Sequence, residues 1–131
     1  MSAPATPSGS RPRILVVEDD ADLLKMLGKM VGVLGDVTLA TDGTEAIAAL
    51  ERGLVPDLVL TDLMMPRMDG LTLARKLKEN KVWARIPVVM LTAKDTPRDV
   101  IAGINAGARH YVTKPFKHEE LLEKIRKALK K

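Results

Sequence analysis

Short apolar runs alternate with amphipathic segments five times along this chain, and this alternation constrains the fold more than any other feature. The first run, Ile14 to Val17, is continuous and rich in β-branched residues, as in a strand that is buried on both faces of a parallel sheet. The segments between the runs carry apolar residues at spacings of three and four, which is typical of helices with one buried face. The alternation predicts an α/β domain with a doubly wound, five-stranded parallel sheet and helices on both faces.

The pattern also places the individual elements. We expect strands over residues 14–17, 36–40, 57–61, 86–91 and 109–112. In the first helix the inward residues are expected to be Leu23, Leu27, Met30, Val31 and Leu34, with Gly35 at its end. The fourth helix is expected to begin at Thr96-Pro97, to bury Val100, Ile101 and Ile104, and to end at Gly107.

Composition limits the class of protein. The 131 residues, 46% of them hydrophobic, suffice for one packed domain, which we place at 12–131 after a Ser/Pro-rich disordered leader at 1–11. The chain has no cysteine, which excludes disulfides, thiol catalysis and cysteine-based zinc sites. No run reaches the roughly 18 apolar residues of a membrane span. We expect a cytoplasmic protein that contacts neither membrane nor nucleic acid directly, since its basic excess is small, 21 basic against 17 acidic residues.

Side chains with chemistry to offer follow the apolar runs at their carboxyl ends. Glu18 and Asp19 follow the first run, Asp62 the third, Thr92 the fourth and Lys114 the fifth. The ligand crevice of an open parallel sheet lies outside the carboxyl ends of its strands, so these side chains are expected to meet at one edge.

Such a set requires a positive charge among the acids. Two carboxylates about 5 Å apart repel by roughly 3 kcal/mol at an effective dielectric of about 20. An all-oxygen site of this kind suits Mg²⁺, which takes one or two protein carboxylates together with phosphoryl oxygens. A carboxylate nucleophile, a divalent cation, a lysine and a hydroxyl together favour phosphoryl transfer.

At this point the residues carry a resemblance to a known family. From about Arg13 onward the chain is similar to the receiver domains of bacterial response regulators, single-domain chemotaxis regulators among them. The resemblance implies a flavodoxin-like (βα)5 fold with strand order 2-1-3-4-5. Four motifs carry it: Glu18-Asp19, Asp62 within Leu60-Thr61-Asp62-Leu63-Met64-Met65-Pro66-Arg67-Met68-Asp69-Gly70, Thr92-Ala93, and Lys114-Pro115-Phe116.

Carried over residue by residue, the resemblance implies a phosphoacceptor site. Asp62 would take a phosphoryl group from a sensor histidine kinase or a phosphotransfer protein. Mg²⁺ would be bound by Asp19, by Asp62 and by the backbone carbonyl of Met64, and through water by Glu18. Lys114 would pair with a phosphoryl oxygen. A protein of this kind catalyses its own phosphorylation and slow autodephosphorylation, but it is a signalling protein rather than an enzyme.

The resemblance also implies a switch. Thr92 would turn inward to hydrogen bond the phosphoryl group, and Tyr111 would follow, reshaping the surface of helix four, strand five and helix five. That surface would bind a downstream protein target, and phosphorylation could pair two copies of the chain. The Lys114–Pro115 peptide bond would be cis. Arg109-His110 departs from the family, because many relatives have two acidic residues there.

Three other interpretations stay open. A pseudo-receiver would have the same fold and act as an interaction module without phosphate. A phosphatase of the haloacid dehalogenase type would need a second Asp two residues after Asp62, where this chain has Met64. A flavodoxin-like flavin binder fits less well, because Glu18-Asp19-Asp20 in the loop after the first strand would repel the flavin phosphate. For Asp20 and Asp69, helix capping or turn formation is the favoured interpretation.

Overall fold

The computed structural model of the protein describes residues 11–63, 65, 68–92 and 97–130. Strands and helices alternate along the whole of this part of the chain. The strands are β1 Arg13–Val17, β2 Asp36–Ala40, β3 Leu58–Asp62, β4 Val88–Thr92 and β5 Ala108–Thr113. The helices are α1 Ala21–Val31, α2 Gly43–Glu51, α3 Gly70–Glu79, α4 Pro97–Asn105 and α5 His118–Leu129.

The five strands form one parallel sheet in the order β2-β1-β3-β4-β5. This confirms the predicted doubly wound α/β class and the strand order. β1, β3 and β4 are buried along almost their whole length because they lie inside the sheet with helices over both faces. β2, at the edge, leaves Leu39 half exposed.

The core consists of two apolar layers, one on each face of the sheet. One layer joins the inner sides of α2 and α3 to the sheet, with Leu73 and Met90 completely buried. The other joins α1 and α5 to the opposite face, where Leu27 and Ile125 are buried. Burying a large aliphatic side chain contributes roughly 1.5–3 kcal/mol, so these layers hold the strand ends in a fixed arrangement.

The predicted inner face of α4 is wrong for Ile101 and Ile104. Ile101 and Ile104 are 57% and 59% exposed, while Ala106, just past the helix, is buried. Two isoleucines three residues apart define one helix face but not which way that face points. Gly107 does end the helix: its N–H donates to the carbonyl of Ile104, and its φ of +105° is one that favours glycine. Thr96 and the side chain of Val100 lie outside the described residues.

The first helix is shorter than predicted and slightly rotated. It ends at Val31 with Gly32 as its C-cap, not at Gly35. Its buried residues are Leu24, Leu27 and Val31, so Leu24 takes the place that the pattern gave to Leu23.

Residues 1–10, most of the predicted leader, lie outside the described residues, but Arg11 is described and well connected. Its guanidinium pairs with Asp36 at 3.1 Å and donates to the carbonyls of Gly32 and Gly35, 2.9 Å away in the second case. Among the helices described, none combines the length and apolar content that crossing a bilayer requires.

Candidate functional site

The carboxyl ends of β1, β3 and β5, all at one edge of the sheet, bring four of the predicted residues together. Glu18 and Asp19 follow β1 directly, Asp62 is the last residue of β3, and Lys114 follows β5. β1 and β3 are adjacent and parallel, with Val17 opposite Thr61. Glu18 and Asp62, the next residue along each strand, therefore lie side by side. The site is therefore a product of strand register.

Lys114 joins the two buried acids. Its Nζ lies 3.1 Å from Oδ2 of Asp62 and 3.4 Å from Oε1 of Glu18. The Glu18 side chain is 2% exposed and that of Asp62 is 9% exposed, whereas Lys114 keeps 25% of its surface open to solvent. The ammonium group thus bridges the two carboxylates from the solvent side and offsets part of their negative charge.

Backbone groups hold both carboxylates in place. The N–H of Leu63 donates to Oδ1 of Asp62 at 2.6 Å, which leaves Oδ2 to Lys114. The N–H of Asp20 donates to Oε2 of Glu18 at 3.1 Å. Hydrogen bonds to a charged acceptor are roughly twice as strong as neutral ones, so neither carboxylate turns freely.

Gly70 supports the main chain of the same aspartate. Its N–H donates to the carbonyl of Leu63 at 2.8 Å. A Cβ atom at this position would lie 2.1 Å from the carbonyl oxygen of Asp62, far inside contact distance. The N-terminus of α3 can therefore approach the end of β3 this closely because residue 70 has no side chain.

Burial and neighbouring charge shift two pKa values in the site. Burial raises the pKa of Glu18 to about 7; the Asp62 charge adds to this, and the Asp20 N–H and Lys114 oppose it. Burial lowers the pKa of Lys114, but the hydrogen bond and charge of Asp62, together with Glu18, outweigh burial and leave that pKa above its usual value. Lys114 is therefore charged at neutral pH. A further cation in the site would stabilise the charged form of Glu18 and so lower its pKa.

The acids also meet the geometric requirement for a metal ion. Glu18, Asp19 and Asp62 each offer a carboxylate oxygen, and these oxygens all lie within 4.8 Å of one another. Asp19 is exposed while the other two are buried, so the cluster opens to solvent on one side. An all-oxygen donor set with an open side fits Mg²⁺, which keeps several water molecules. Met64, whose carbonyl was predicted as a further ligand, lies outside the described residues.

Thr92 lies on β4, next to the strand that ends with Asp62, and Tyr111 lies one strand further out, on β5. Thr92 is buried at the end of β4, beside the strand that carries Asp62, and its carbonyl accepts from the Lys114 N–H at 2.7 Å. Tyr111 is half-buried on β5, opposite Met90, and packs against the core layer of α2 and α3. The Lys114–Pro115 peptide bond is cis, as the resemblance implies.

Three other described acids near this edge are helix caps. Asp20 and Asp69 accept from Leu23 N at 3.0 Å and from Thr72 N at 2.8 Å, which confirms the capping interpretation. Asp42 caps α2 in the same way, accepting from Glu45 N at 2.9 Å. Each such cap contributes about 1 kcal/mol to helix stability.

Sequence reasoning missed two supporting groups. The N–H of Leu63 and the bare backbone of Gly70 both fix Asp62, and neither is visible as a chemical side chain in the sequence. The spacing Asp69-Gly70 at the start of a helix was a usable signal for a cap followed by a close approach.

Fold and site together define a class of protein. It is a doubly wound α/β domain with an Asp–Lys ion pair beside an acidic cluster, at the carboxyl-terminal edge of the sheet. The chain belongs to the response regulator receiver domain family, whose model matches residues 14–126.

Several relatives and solved structures are similar over most of the chain. DNA-binding response regulator MtrA of Mycobacterium tuberculosis is 45% identical over 122 residues, which are 92% of this chain and 52% of that protein. The chain thus spans about half the length of this curated relative.

Among solved structures, the receiver domain of Francisella response regulator 1452 has a TM-score of 0.82 at 32% identity, covering 92% of this chain and 98% of its own. The receiver domain of the Pseudomonas aeruginosa sensor histidine kinase PA1611, solved with a magnesium ion in its active site cleft, has a TM-score of 0.83 at 31% identity, covering 93% and 100%.

Proposed function

We propose that Asp62 accepts a phosphoryl group from the phosphohistidine of a sensor histidine kinase or a phosphotransfer protein, in a reaction that requires Mg²⁺. The observation that carries the proposal is the contact of Lys114 with both buried acids, 3.1 Å from Asp62 and 3.4 Å from Glu18. A buried carboxylate with a charged lysine at one oxygen, beside an acidic cluster, suits attack on a phosphoryl group better than any purely structural role.

The transfer exchanges one bond for another. A carboxylate oxygen of Asp62 forms an O–P bond as the P–N bond of the phosphohistidine breaks, and the imidazole nitrogen leaves with that electron pair. Lys114 moves its ammonium contact from the carboxylate to a phosphoryl oxygen and stabilises the charge that spreads over these oxygens. The Leu63 N–H keeps the aspartate oriented throughout.

Asp19, Asp62 and Glu18 are the residues that would hold the magnesium ion. When bound, the ion supplies positive charge to the phosphoryl oxygens and relieves the repulsion between the carboxylates. Asp19 is the exposed member of the cluster, so it faces the side from which the ion and the phosphoryl donor arrive. Glu18, whose side chain is almost completely buried, would act through water.

Phosphorylation would be read out on a surface made by α4, β5 and α5. We assign Thr92, beside Asp62 on β4, and Tyr111, on β5, to the switch that links the phosphoryl group to this surface. α4 exposes Ile101 and Ile104 there, which offers apolar area to a downstream protein or to a second copy. The phosphoryl group and the partner would favour the same conformation, so each strengthens the other.

Intact mass spectrometry tests the proposal. The wild-type protein is incubated with acetyl phosphate and Mg²⁺, side by side with Asp62→Asn and with Asp57→Asn. Asp57 is a matched control, because its side chain accepts from the Arg13 N–H at the other end of β3 and the amide keeps an acceptor oxygen there. We expect a labile gain of one phosphoryl group in the wild type and in Asp57→Asn, lost with a chelator.

No gain in the wild type would overturn the proposal and leave a receiver that acts by surface recognition alone. A gain in Asp62→Asn equal to that in the wild type would place the phosphoryl group on another residue. Tryptic mapping of the labelled peptide, after reduction of the acyl phosphate by borohydride, separates these outcomes.

A further inference from the structure

A second cavity lies at the opposite edge of the sheet from Asp62. It is formed where the amino-terminal ends of β4 and β5 meet α3, and its volume is about 480 Å³. Ile86 and Pro87, directly before β4, and Gly107, directly before β5, form its floor. The site at the carboxyl ends of the strands does not use any of these residues.

All of the ionisable side chains that line this cavity are basic. Lys78 comes from α3, Arg85 from the segment before β4, and Arg109 from β5. In the part of the chain that the structure describes, no acidic side chain pairs with any of the three. Among the described residues, the hydrogen bond that these cations make is a long one, from the Arg109 guanidinium to the carbonyl of Ala128 at 3.5 Å.

The shape of the backbone brings Lys78 to the cavity. Gly107 has a φ of +105°, and a Cβ atom there would lie 3.2 Å from Cδ and 3.8 Å from Nζ of Lys78. The lysine therefore lies along the bare backbone of Gly107, next to the strand that begins with Ala108 and Arg109. Side chains from α3, from the segment before β4 and from β5 thus line one concave surface, and all of the ionisable ones among them are positively charged.

A less polar cavity of about 220 Å³ adjoins the basic one and shares Arg85, Ile86 and Pro87 with it. Val55 and Val82 line this second cavity and are 60% and 76% exposed. Asp57 is its one acid, and that carboxylate already accepts from the backbone of Arg13 at 2.8 Å. A ligand across both cavities would place anionic groups on one side and an apolar group on the other.

We propose that the cavity lined by Lys78, Arg85 and Arg109 binds a small ligand that carries two or more phosphate groups. Guanidinium groups pair with phosphate through two parallel hydrogen bonds, and a lysine adds a point charge. Three cations from separate elements match an oligophosphate better than a single carboxylate. The ligand is either an inorganic oligophosphate or a nucleotide, whose base would occupy the adjoining cavity.

Binding of tripolyphosphate and of ATP to the whole chain, measured by titration calorimetry without divalent cations, tests the proposal. We expect Arg85→Gln, Arg109→Gln and Lys78→Gln each to weaken binding about tenfold or more. Arg75→Gln is the matched control, since it removes an exposed charge from α3 outside the cavity and is expected to keep the affinity within about twofold. Amide shifts at Gly107 and Ile86 locate the ligand.

The two sources of phosphate are distinguished in the same experiment. If the nucleoside contributes, ATP binds more tightly than tripolyphosphate, and Val82→Ser weakens ATP alone; equal affinities identify an inorganic ligand. The proposal is overturned if neither probe binds, if Arg75→Gln weakens binding as much as the cavity variants, or if duplex DNA binds these residues more tightly than either probe. Labelling of Asp62 by acetyl phosphate stays unchanged in the cavity variants, so failure here leaves the proposed phosphoacceptor function standing.

Discussion

Gly70 lies so close to Asp62 that a Cβ atom at position 70 would stand 2.1 Å from the aspartate's carbonyl oxygen. The atom that this Cβ would meet belongs to the main chain, so no side-chain rotation could relieve the clash. Met90 closes the same space from the sheet, with its Sδ at 3.0 Å from that Cβ position. The position of Asp62 therefore depends on a residue that has no side chain.

Replacing Gly70 by Ala is expected to destabilise the protein and to displace Asp62. Overpacking of this kind costs about 3 kcal/mol, because β3 and the start of α3 must move apart. Urea unfolding measures the loss, and the rate of labelling by acetyl phosphate reports the displaced carboxylate.

Gly28→Ala is the control for that substitution. Its Cβ would meet the flexible, half-exposed Leu39 side chain at 3.1 Å, and alanine favours the helix by up to about 1 kcal/mol. Equal stability of the two variants would show that β3 tolerates a side chain at position 70.

Replacing Lys114 by Gln is expected to slow the labelling of Asp62 about 100-fold, the usual effect of removing one group that stabilises transition-state charge. Lys25→Gln removes an exposed lysine of α1 and serves as the matched control. Stopped mass-spectrometric sampling at fixed acetyl phosphate and Mg²⁺ gives both rates. Wild-type rates in Lys114→Gln would show that its contacts with Asp62 and Glu18 serve stability alone.

Much of the fold and the site was predictable because the carboxyl ends of all strands in a parallel sheet lie at the same edge. The order of the strands in the sequence therefore predicts which residues lie near that edge. The apolar runs reveal the strands whose carboxyl ends carry Glu18, Asp19 and Asp62. The register of β1 with β3 then brings these three acids together. Lys114 was predictable for the same reason: it follows β5 at the same edge of the sheet and contacts Asp62, although the two are 52 residues apart in the sequence.

What the sequence did not reveal depends on backbone contacts and on the direction of a surface. The close approach of Gly70 and the N–H of Leu63 involve main-chain atoms that every residue shares. The outward direction of Ile101 and Ile104 depends on how α4 packs on the sheet, and two apolar residues three positions apart do not determine this. The basic cavity arises from three elements whose lysine and arginines look like ordinary surface charges one at a time.

Asp19→Asn is expected to change stability in opposite directions with and without magnesium. In chelator, the variant loses repulsion from Glu18 and Asp62 and gains about 1 kcal/mol. With Mg²⁺ at 100 times its dissociation constant, the wild type gains about 2.7 kcal/mol that the variant lacks. Thermal unfolding under both conditions measures the crossing.

Asp22→Asn is the control for the magnesium experiment, because it removes an exposed carboxylate of α1 outside the cluster. It is expected to follow the wild type in both conditions. A parallel shift of both variants would mean that net charge alone, rather than a defined cluster, accounts for the response to the ion.

His110 is expected to make the protein less stable in mild acid. Burial on β5, followed by the charges of Lys124, Arg109 and Lys127, lowers the pKa of His110 below its usual 6.5. The unfolded chain therefore takes up the proton first, so the free energy of unfolding falls as the pH drops through about 6.5 and stops falling below the folded pKa. His110→Gln removes this component, and Lys124→Gln raises the histidine pKa in an NMR titration. An unchanged pKa in Lys124→Gln would contradict the assigned cause, because a like charge that faces the imidazole must oppose its protonation.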